Sequence, residues 1–193
     1  MKLTIISKAD YKTSTWSGGE TTELFLFPPS GDYAKQEFDF RLSTATVELE
    51  ESDFTSLPGF ERLIMSLDKP LELHHRTVDE LRIVRLKPFE VDQFSGSDLT
   101  KSFGKCKDFN LIYSNKKQGG MKTIYTSALT HPYTGVTYIY YALKDVVINV
   151  SGEKIKLNKG KTLVVSEISD AELIVINSVS EGNEPSVIEV SVH

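Results

Sequence analysis

The 193-residue sequence has few of the residues that build disulfide bonds and metal sites. Its single cysteine, Cys106, excludes a disulfide within the chain, and such usage is typical of a reducing cytoplasm. Adjacent strand residues point to opposite faces, so His74 and His75 cannot bind one ion together. The other histidines, His131 and His193, lie far along the chain, and no His-x-His motif is present. We therefore predict neither a metal site nor a cofactor.

Other absences exclude further classes of function. No apolar run approaches the ~20 residues of a membrane span, and the N-terminus lacks the pattern of a signal peptide. The net charge of −5 provides no basic surface for nucleic acid or anionic lipid. A glycine-rich phosphate loop, a nucleophile elbow and a Cys-x-x-Cys pair are all missing. We expect a soluble cytoplasmic protein with neither nucleic acid nor a membrane as partner.

What the sequence does contain is a succession of short strand-like runs. Runs rich in valine, isoleucine, threonine and aromatic residues alternate with turns, which predicts antiparallel sheets in a sandwich or barrel. Short helices are predicted only near residues 8–13 and 98–103. Segments 62–75 and 146–165 both read as strand, turn and strand. The second segment, in which Gly160 leads into a further strand, has the pattern of a cupin. The fold class is therefore predicted to be all-β, with a weak internal repeat.

The stretch TWSGGETTELFLFPP predicts a corner followed by a strand with polar residues inside it. Glycine reaches backbone angles that other residues avoid, so Gly18 and Gly19 form the turn and Trp16 packs over it. Thr21 and Glu23 then share one face of the strand. A charge among apolar neighbours needs a partner, so we predict that this face lines a cavity beside Arg41.

Two arginines are candidates for binding an anion. Arg41 shares a strand face with Asp39 and Ser43, and burying it is costly unless it meets a carboxylate or a bound anion. A pair of Arg41 with Glu23 or an aspartate accounts for the pattern equally well. Arg62 follows a Pro-Gly turn and either faces the same cavity or braces the surface, the second interpretation being favoured.

A third polar pattern occurs near the middle of the chain. Asp108 and Asn110 stand two apart on a predicted strand and therefore share a face. The pair orients a ligand or faces water, and the pattern does not distinguish these interpretations.

Together these segments resemble the HutD/Ves family. The matching elements, over about the first 115 residues, are Trp16, Gly18, Gly19, Thr21 and Glu23; the run Arg41 to Ala45; Phe54, Thr55, Pro58, Gly59 and Arg62; Phe94 to Gly96; and Asp108 to Asn110. The resemblance implies a cupin-like double-stranded β-helix, or jelly-roll barrel, in two similar halves without the cupin metal motif. We expect one cupin-like unit over residues 1–193, with approximate halves 1–115 and 116–193.

The resemblance also implies an association with histidine utilisation in some bacteria and with stress response in others. We expect a non-catalytic protein that senses or sequesters a small carboxylate such as formylglutamate or urocanate. The predicted ligand-binding residues are Thr21, Glu23, Arg41, Arg62, Asp108 and Asn110.

Two alternative functions stay open. One is a metal-independent isomerase or hydrolase in which Glu23 and Asp108 form the acid–base pair. The other is an interaction protein that fills its cavity with its own side chains and forms a homodimer through an edge strand. The aromatic run Tyr138 to Tyr141 supplies either that interface or the core, and the core is favoured.

Overall fold

The computed structural model describes residues 1–178 and 184–193, and every regular element in them is a β-strand. The chain divides into two compact units, here called the first unit (residues 11–118) and the second unit (residues 1–10 with 119–193). The short helices predicted near residues 8–13 and 98–103 are wrong, because residues 8–10 form a turn, a strand begins at Lys12, and a second strand covers Leu99–Phe103. Within the described residues no helix is long or apolar enough to cross a membrane.

The first unit consists of two antiparallel sheets. The six-stranded sheet has the order β2 (Lys12–Trp16), β3 (Gly19–Phe27), β4 (Phe40–Val47), β11 (Lys107–Ser114), β6 (Phe60–Ser66) and β9 (Val91–Ser95). The four-stranded sheet has the order β5 (Glu51–Asp53), β10 (Leu99–Phe103), β7 (Leu71–Arg76) and β8 (Leu81–Leu86).

The second unit is also built from two antiparallel sheets. Its five-stranded sheet has the order β1 (Lys2–Ile6), β17 (Thr162–Ser166), β14 (Thr137–Ala142), β19 (Val187–Val192) and β12 (Gly119–Ile124). Its four-stranded sheet has the order β13 (Ala128–Thr130), β18 (Ile174–Ser178), β15 (Val146–Val150) and β16 (Glu153–Leu157).

The two units repeat the same arrangement of eight strands. The pairing β4-β11-β6-β9 in the first unit corresponds to β12-β19-β14-β17 in the second, and β5-β10-β7-β8 corresponds to β13-β18-β15-β16. Segments 62–75 and 146–165, which look alike in sequence, are not equivalent in this scheme, because the first holds β6 and β7 and the second β15 to β17. The strands of the described residues lie in four open sheets, so the predicted jelly-roll architecture is present without a closed barrel.

The core of each unit follows the alternation of its strands. In β15, Val146, Ile148 and Val150 are fully buried, while the residues between them are only partly buried. Tyr138 and Tyr140 belong to the same core cluster of the second unit. The aromatic run of β14 is therefore core, as the sequence favoured.

The corner before β3 requires both of its glycines. Gly19 has φ +144°, and a Cβ there would lie 1.8 Å from the carbonyl oxygen of Thr46. A Cβ on Gly18 would lie 2.0 Å from the ring of Trp16. The tryptophan thus packs over the glycine corner as predicted, although it is partly exposed.

Candidate ligand-binding site

A cavity of about 350 Å³ lies between the two sheets of the first unit. Its walls come from β2, β3, β4, β6 and β11 of the larger sheet and from β5 and β10 of the smaller one. Five of the six predicted site residues line it, namely Thr21, Arg41, Arg62, Asp108 and Asn110.

The register of three central strands brings these residues together. On β11, Ile112 pairs with Arg41 of β4 on one side and with Arg62 of β6 on the other. Asn110 and Asp108 follow at steps of two along β11 and therefore share the same face. Residues that are far apart in sequence thus form one polar surface.

Arg41 has an internal partner. Its Nε donates to Oε2 of Glu23 at 2.8 Å, and its guanidinium carbon lies 4.1 Å from the centroid of the Tyr33 ring. Glu23 is mostly buried and is not among the described residues that line the cavity. The predicted pair of Arg41 with Glu23 is therefore present, and Glu23 acts on the cavity through Arg41.

The positive charge of Arg62 is stabilised differently from that of Arg41. It is 5% exposed, and its guanidinium carbon lies 4.6 Å from the centroid of Phe54 and 5.4 Å from that of Phe94. Nη1 donates to the carbonyl oxygen of Thr55 at 3.3 Å. Within residues 1–178 and 184–193, no carboxylate oxygen forms an ion pair with Arg62. The interpretation of Arg62 as a surface arginine is therefore wrong.

Asp108 is a buried carboxyl group at the inner end of the cavity wall. It is 6% exposed, and its side chain accepts a hydrogen bond from the backbone N–H of Ala45. Burial raises the pKa of Asp108 to about 7, although the charge of Arg62 and the Ala45 N–H both lower it. Burial likewise lowers the pKa of Arg62 to about 10, although Tyr33 and Asp108 raise it. For both groups the loss of hydration outweighs their mutual attraction.

Several buried polar atoms of the cavity lack hydrogen-bond partners within the described residues. They are Oγ of Ser52, Nε of Arg62 and Oδ1 of Asn110. A buried polar atom without a partner costs about 1–3 kcal/mol, and most such atoms in native proteins are paired. Three such atoms belong to residues that line one cavity.

The histidines do not contribute to this site. Nε2 of His75 lies 2.9 Å from Oδ2 of Asp92, and Nδ1 lies 2.9 Å from Oγ1 of Thr100. Arg82 donates to both carboxylate oxygens of Asp92, at 2.6 and 3.0 Å. Burial raises the pKa of Asp92, but hydrogen bonds from His75 and Arg82 hold it below its usual value. The side chain of His74 points to the other face, where its Nε2 lies 2.6 Å from Oε1 of Glu72.

Neither a cluster of metal ligands nor a thiol with a lowered pKa is found among the described residues. Their histidine, cysteine, aspartate and glutamate side chains form no group of three that could hold a metal ion. Cys106 is buried, and burial raises the pKa of its thiol to about 11. The flanking lysines, which would favour a thiolate, do not offset this loss of hydration.

Sequence reasoning missed part of the cavity wall. Tyr33 comes from the long connection between β3 and β4, and Ser52 from the three-residue strand β5. Neither segment has a periodic pattern that predicts the direction of its side chains. Phe54 is the phenylalanine of the Phe-Thr element quoted above, so its position in that family pattern was the one available signal.

The sequence matches a known family over most of its length. Residues 8–179 match the family model described as HutD. No curated protein matches the chain.

Solved structures of the same fold agree with this match. A conserved protein of unknown function from Pseudomonas aeruginosa PAO1 is 22% identical, with a TM-score of 0.82 and coverage of 100% of this chain and 99% of that one. HutD from Pseudomonas fluorescens SBW25 is 21% identical, with a TM-score of 0.77 and coverage of 99% and 98%. A nickel(II) complex of the bacterial pirin YhhW from Escherichia coli is 9% identical, with a TM-score of 0.66 and coverage of 99% and 98%. The fold is thus that of the cupins.

Proposed function

Given that the chain belongs to the HutD family, we propose that it binds a small carboxylate in the cavity of its first unit without converting it. The observation that carries this proposal is the buried guanidinium of Arg62, which has no carboxylate partner among the described residues. A buried cation is costly unless an anion accompanies it. A bound carboxylate supplies that anion, and arginine matches its geometry with two parallel hydrogen bonds.

The remaining cavity groups have complementary roles. The Nε of Arg41 donates its hydrogen bond to Glu23, so the other N–H groups of Arg41 stay available to a ligand. Thr21, Asp108 and Asn110 orient the part of the ligand that carries no charge. A hydrogen bond to a charged group contributes about 1.5–3 kcal/mol, so two of them support at best micromolar binding once the cost of association is included. Such an affinity suits a sensor of a metabolite.

For the ligand itself, the family suggests an intermediate of histidine degradation, such as formylglutamate or urocanate. Urocanate carries one carboxylate and a ring N–H, whereas formylglutamate carries two carboxylates and an amide N–H. A role in sensing or sequestering such an acid requires no metal.

The alternatives are less well supported. An acid–base pair of Glu23 and Asp108 would need a free Glu23, whereas its Oε2 accepts from Arg41 at 2.8 Å. An interface built from Tyr138 and Tyr140 would need them exposed, whereas both lie in the core of the second unit.

A thermal-shift screen tests the proposal. Formylglutamate, urocanate, glutamate and formate are titrated against the wild type, Arg62→Met and Arg85→Met. Because a ligand that binds the folded state raises its stability, we expect saturable stabilisation of the wild type by at least one acid. The Arg62→Met variant should lose this stabilisation.

Arg85→Met is the matched control. It removes the same charge from an exposed side chain that pairs with Glu72 outside the cavity, so its thermal shift should equal that of the wild type. Stabilisation that survives in Arg62→Met, or that disappears equally in both variants, contradicts the proposal.

A further inference from the structure

We propose that the cavity selects a small monoanion carrying an N–H or O–H donor, and that Asp108 takes up one proton when this ligand binds. The inference rests on the proposed function, because it concerns the same site. It specifies the charge of the ligand, a neutral donor group that the ligand carries, and the way in which its affinity depends on pH.

The first argument is the balance of charge. Arg41 and Arg62 contribute two positive charges, and Glu23 neutralises one of them through its contact with Arg41. If Asp108 is ionised, the site as a whole is neutral and has little attraction for an anion. If Asp108 is protonated, the single uncompensated charge is that of Arg62. A monoanion then leaves the filled cavity neutral.

Other charged groups around Asp108 do not change this balance. Asp53 of β5 lines the cavity but is exposed and lies 3.7 Å from Lys101 of β10. The neighbouring groups on the remaining elements are Tyr33 beside Arg41, Cys106 just before β11, and Asp68 and Lys69 after β6. Burial raises the pKa of Cys106 to about 11, so its thiol is neutral near pH 7, and Asp68 and Lys69 carry opposite charges.

The second argument is the environment of the Asp108 carboxyl group. It is buried, and its side chain accepts from one backbone N–H, that of Ala45. Among the described residues no cation lies within ion-pair distance of it. A carboxyl group in such a place is more stable as an acid, and its raised pKa of about 7 agrees with this. The negative charge of an incoming ligand favours the acid further, and its O–H then donates to the ligand.

The third argument concerns the neutral part of the ligand. Oδ1 of Asn110 is a buried acceptor without a donor among the described residues. A ligand that satisfies it must carry an N–H or O–H group near its carboxylate. A second carboxylate would find no uncompensated positive charge among the described residues of the cavity, because Glu23 neutralises Arg41 and the first carboxylate neutralises Arg62. A dianion should therefore bind more weakly than the corresponding monoanion, so this inference favours urocanate over formylglutamate.

Calorimetric titration with two matched probes tests the inference. N-acetylglycine carries one carboxylate and one amide N–H, and N-acetylaspartate adds a second carboxylate. Neither probe titrates between pH 6 and 9, so a change of affinity in this range reports on the protein. The acid form of Asp108 predominates below its pKa, so binding is strongest there and is lost as the pH rises. We expect the Kd for N-acetylglycine to increase by up to about tenfold per pH unit above pH 7.

Proton uptake gives a second readout. Titration at pH 8.5 in phosphate and in Tris should show an enthalpy difference that corresponds to nearly one proton bound per ligand. N-acetylaspartate should bind at least about tenfold more weakly than N-acetylglycine. In Asp108→Asn, the Kd should be the same at pH 6 and pH 8.5, with no proton uptake. If this variant does not fold, the buffer comparison on the wild type decides the matter.

The outcomes separate the two proposals. Binding that requires Arg62 but takes up no proton and does not vary with pH overturns this inference and leaves the proposed function standing. A preference for N-acetylaspartate also overturns it. Absence of Arg62-dependent binding of either probe at pH 6, up to millimolar concentration, overturns both.

Discussion

Two arginines of one cavity differ in how their charge is balanced. Arg41 pairs with Glu23 at 2.8 Å, whereas Arg62 is held by the faces of Phe54 and Phe94 and by one carbonyl oxygen. The first arrangement contributes to the stability of the sheet. The second leaves a buried charge that a ligand can neutralise. Removal of Arg41 and removal of Arg62 should therefore change the free energy of unfolding by different amounts.

Replacement of each arginine by methionine tests this difference. In Arg41→Met the mostly buried carboxylate of Glu23 loses its partner, so the free energy of unfolding should fall by about 3 kcal/mol. In Arg62→Met an apolar chain packs between two aromatic rings and no carboxylate is stranded. The loss of the cation–π contacts lowers the stability, and the removal of a buried charge raises it. The free energy of unfolding of Arg62→Met should therefore stay within about 1 kcal/mol of the wild-type value.

Urea unfolding of the two variants at pH 7.5, without added acids, measures these values. Equal destabilisation by both substitutions would show that Arg62 has an internal partner that matters as much as Glu23 does. In that case Arg62 would be a structural group rather than a ligand anchor.

At the scale of the element, β3 has an irregularity directly after Glu23. The pairing with β4 shifts between Glu23 and Phe25, so Glu23 pairs with Ser43 while Phe25 pairs with Leu42. A bulge of this kind changes which residues face inward beyond it. Leu26, rather than Phe25, then shares the inner face with Arg41. Simple alternation along the strand does not predict this.

The glycine corner that begins β3 provides a test at the same scale. Gly19→Ala places a Cβ 1.8 Å from a backbone oxygen of β4, so the strand must move. We expect the thermal midpoint to fall by at least about 10 °C, which corresponds to roughly 3 kcal/mol or more. Loss of stabilisation by carboxylates should accompany it, because Thr21 follows directly on this strand.

Gly59→Ala is the matched control for the corner. Gly59 also has a positive φ, +88°, but a Cβ there meets no atom within 4 Å. Only the cost of the backbone conformation applies, which is about 1–2 kcal/mol. A Gly19→Ala protein as stable as Gly59→Ala would contradict the close approach of β3 and β4 at Thr46.

At the scale of the whole molecule, the first strand of the chain belongs to the second unit. β1 pairs with β17 along its entire length, and Leu3 packs against the core of that unit. The described residues that line the candidate site, in contrast, all belong to the first unit. Damage to β1 should therefore affect stability without affecting the ligand.

Two substitutions on β1 test this separation. Leu3→Asp buries a charge against the core and should lower the free energy of unfolding by about 2 kcal/mol or more. Ile5→Asp makes the same change at a residue that is 50% exposed, and should cost less than about 1 kcal/mol. Thermal unfolding and calorimetry with N-acetylglycine measure both effects. A weaker affinity in folded Leu3→Asp would contradict a site confined to the first unit.

The sequence alone determined the all-β class, the family, and which neighbours share a strand face. Arg41 with Ser43, and Asp108 with Asn110, follow from the two-residue period of a strand, which is a local property of the backbone. The segments of the resemblance that carry Arg41, Arg62 and Asp108 could be recognised one by one. Their meeting in one cavity follows only from the order β4-β11-β6, which depends on pairing between distant segments.

The tertiary structure decided which charges are paired. Arg41 and Arg62 look alike in sequence, yet the pairing of β3 with β4 brings the carboxylate of Glu23 to Arg41. Phe54, which follows β5, and Phe94 of β9 lie against Arg62 instead. The loss of hydration that governs Asp108 likewise arises from packing of two whole sheets. Local periodicity predicts the direction of a side chain, but its partner and its hydration depend on contacts that form only when the chain folds.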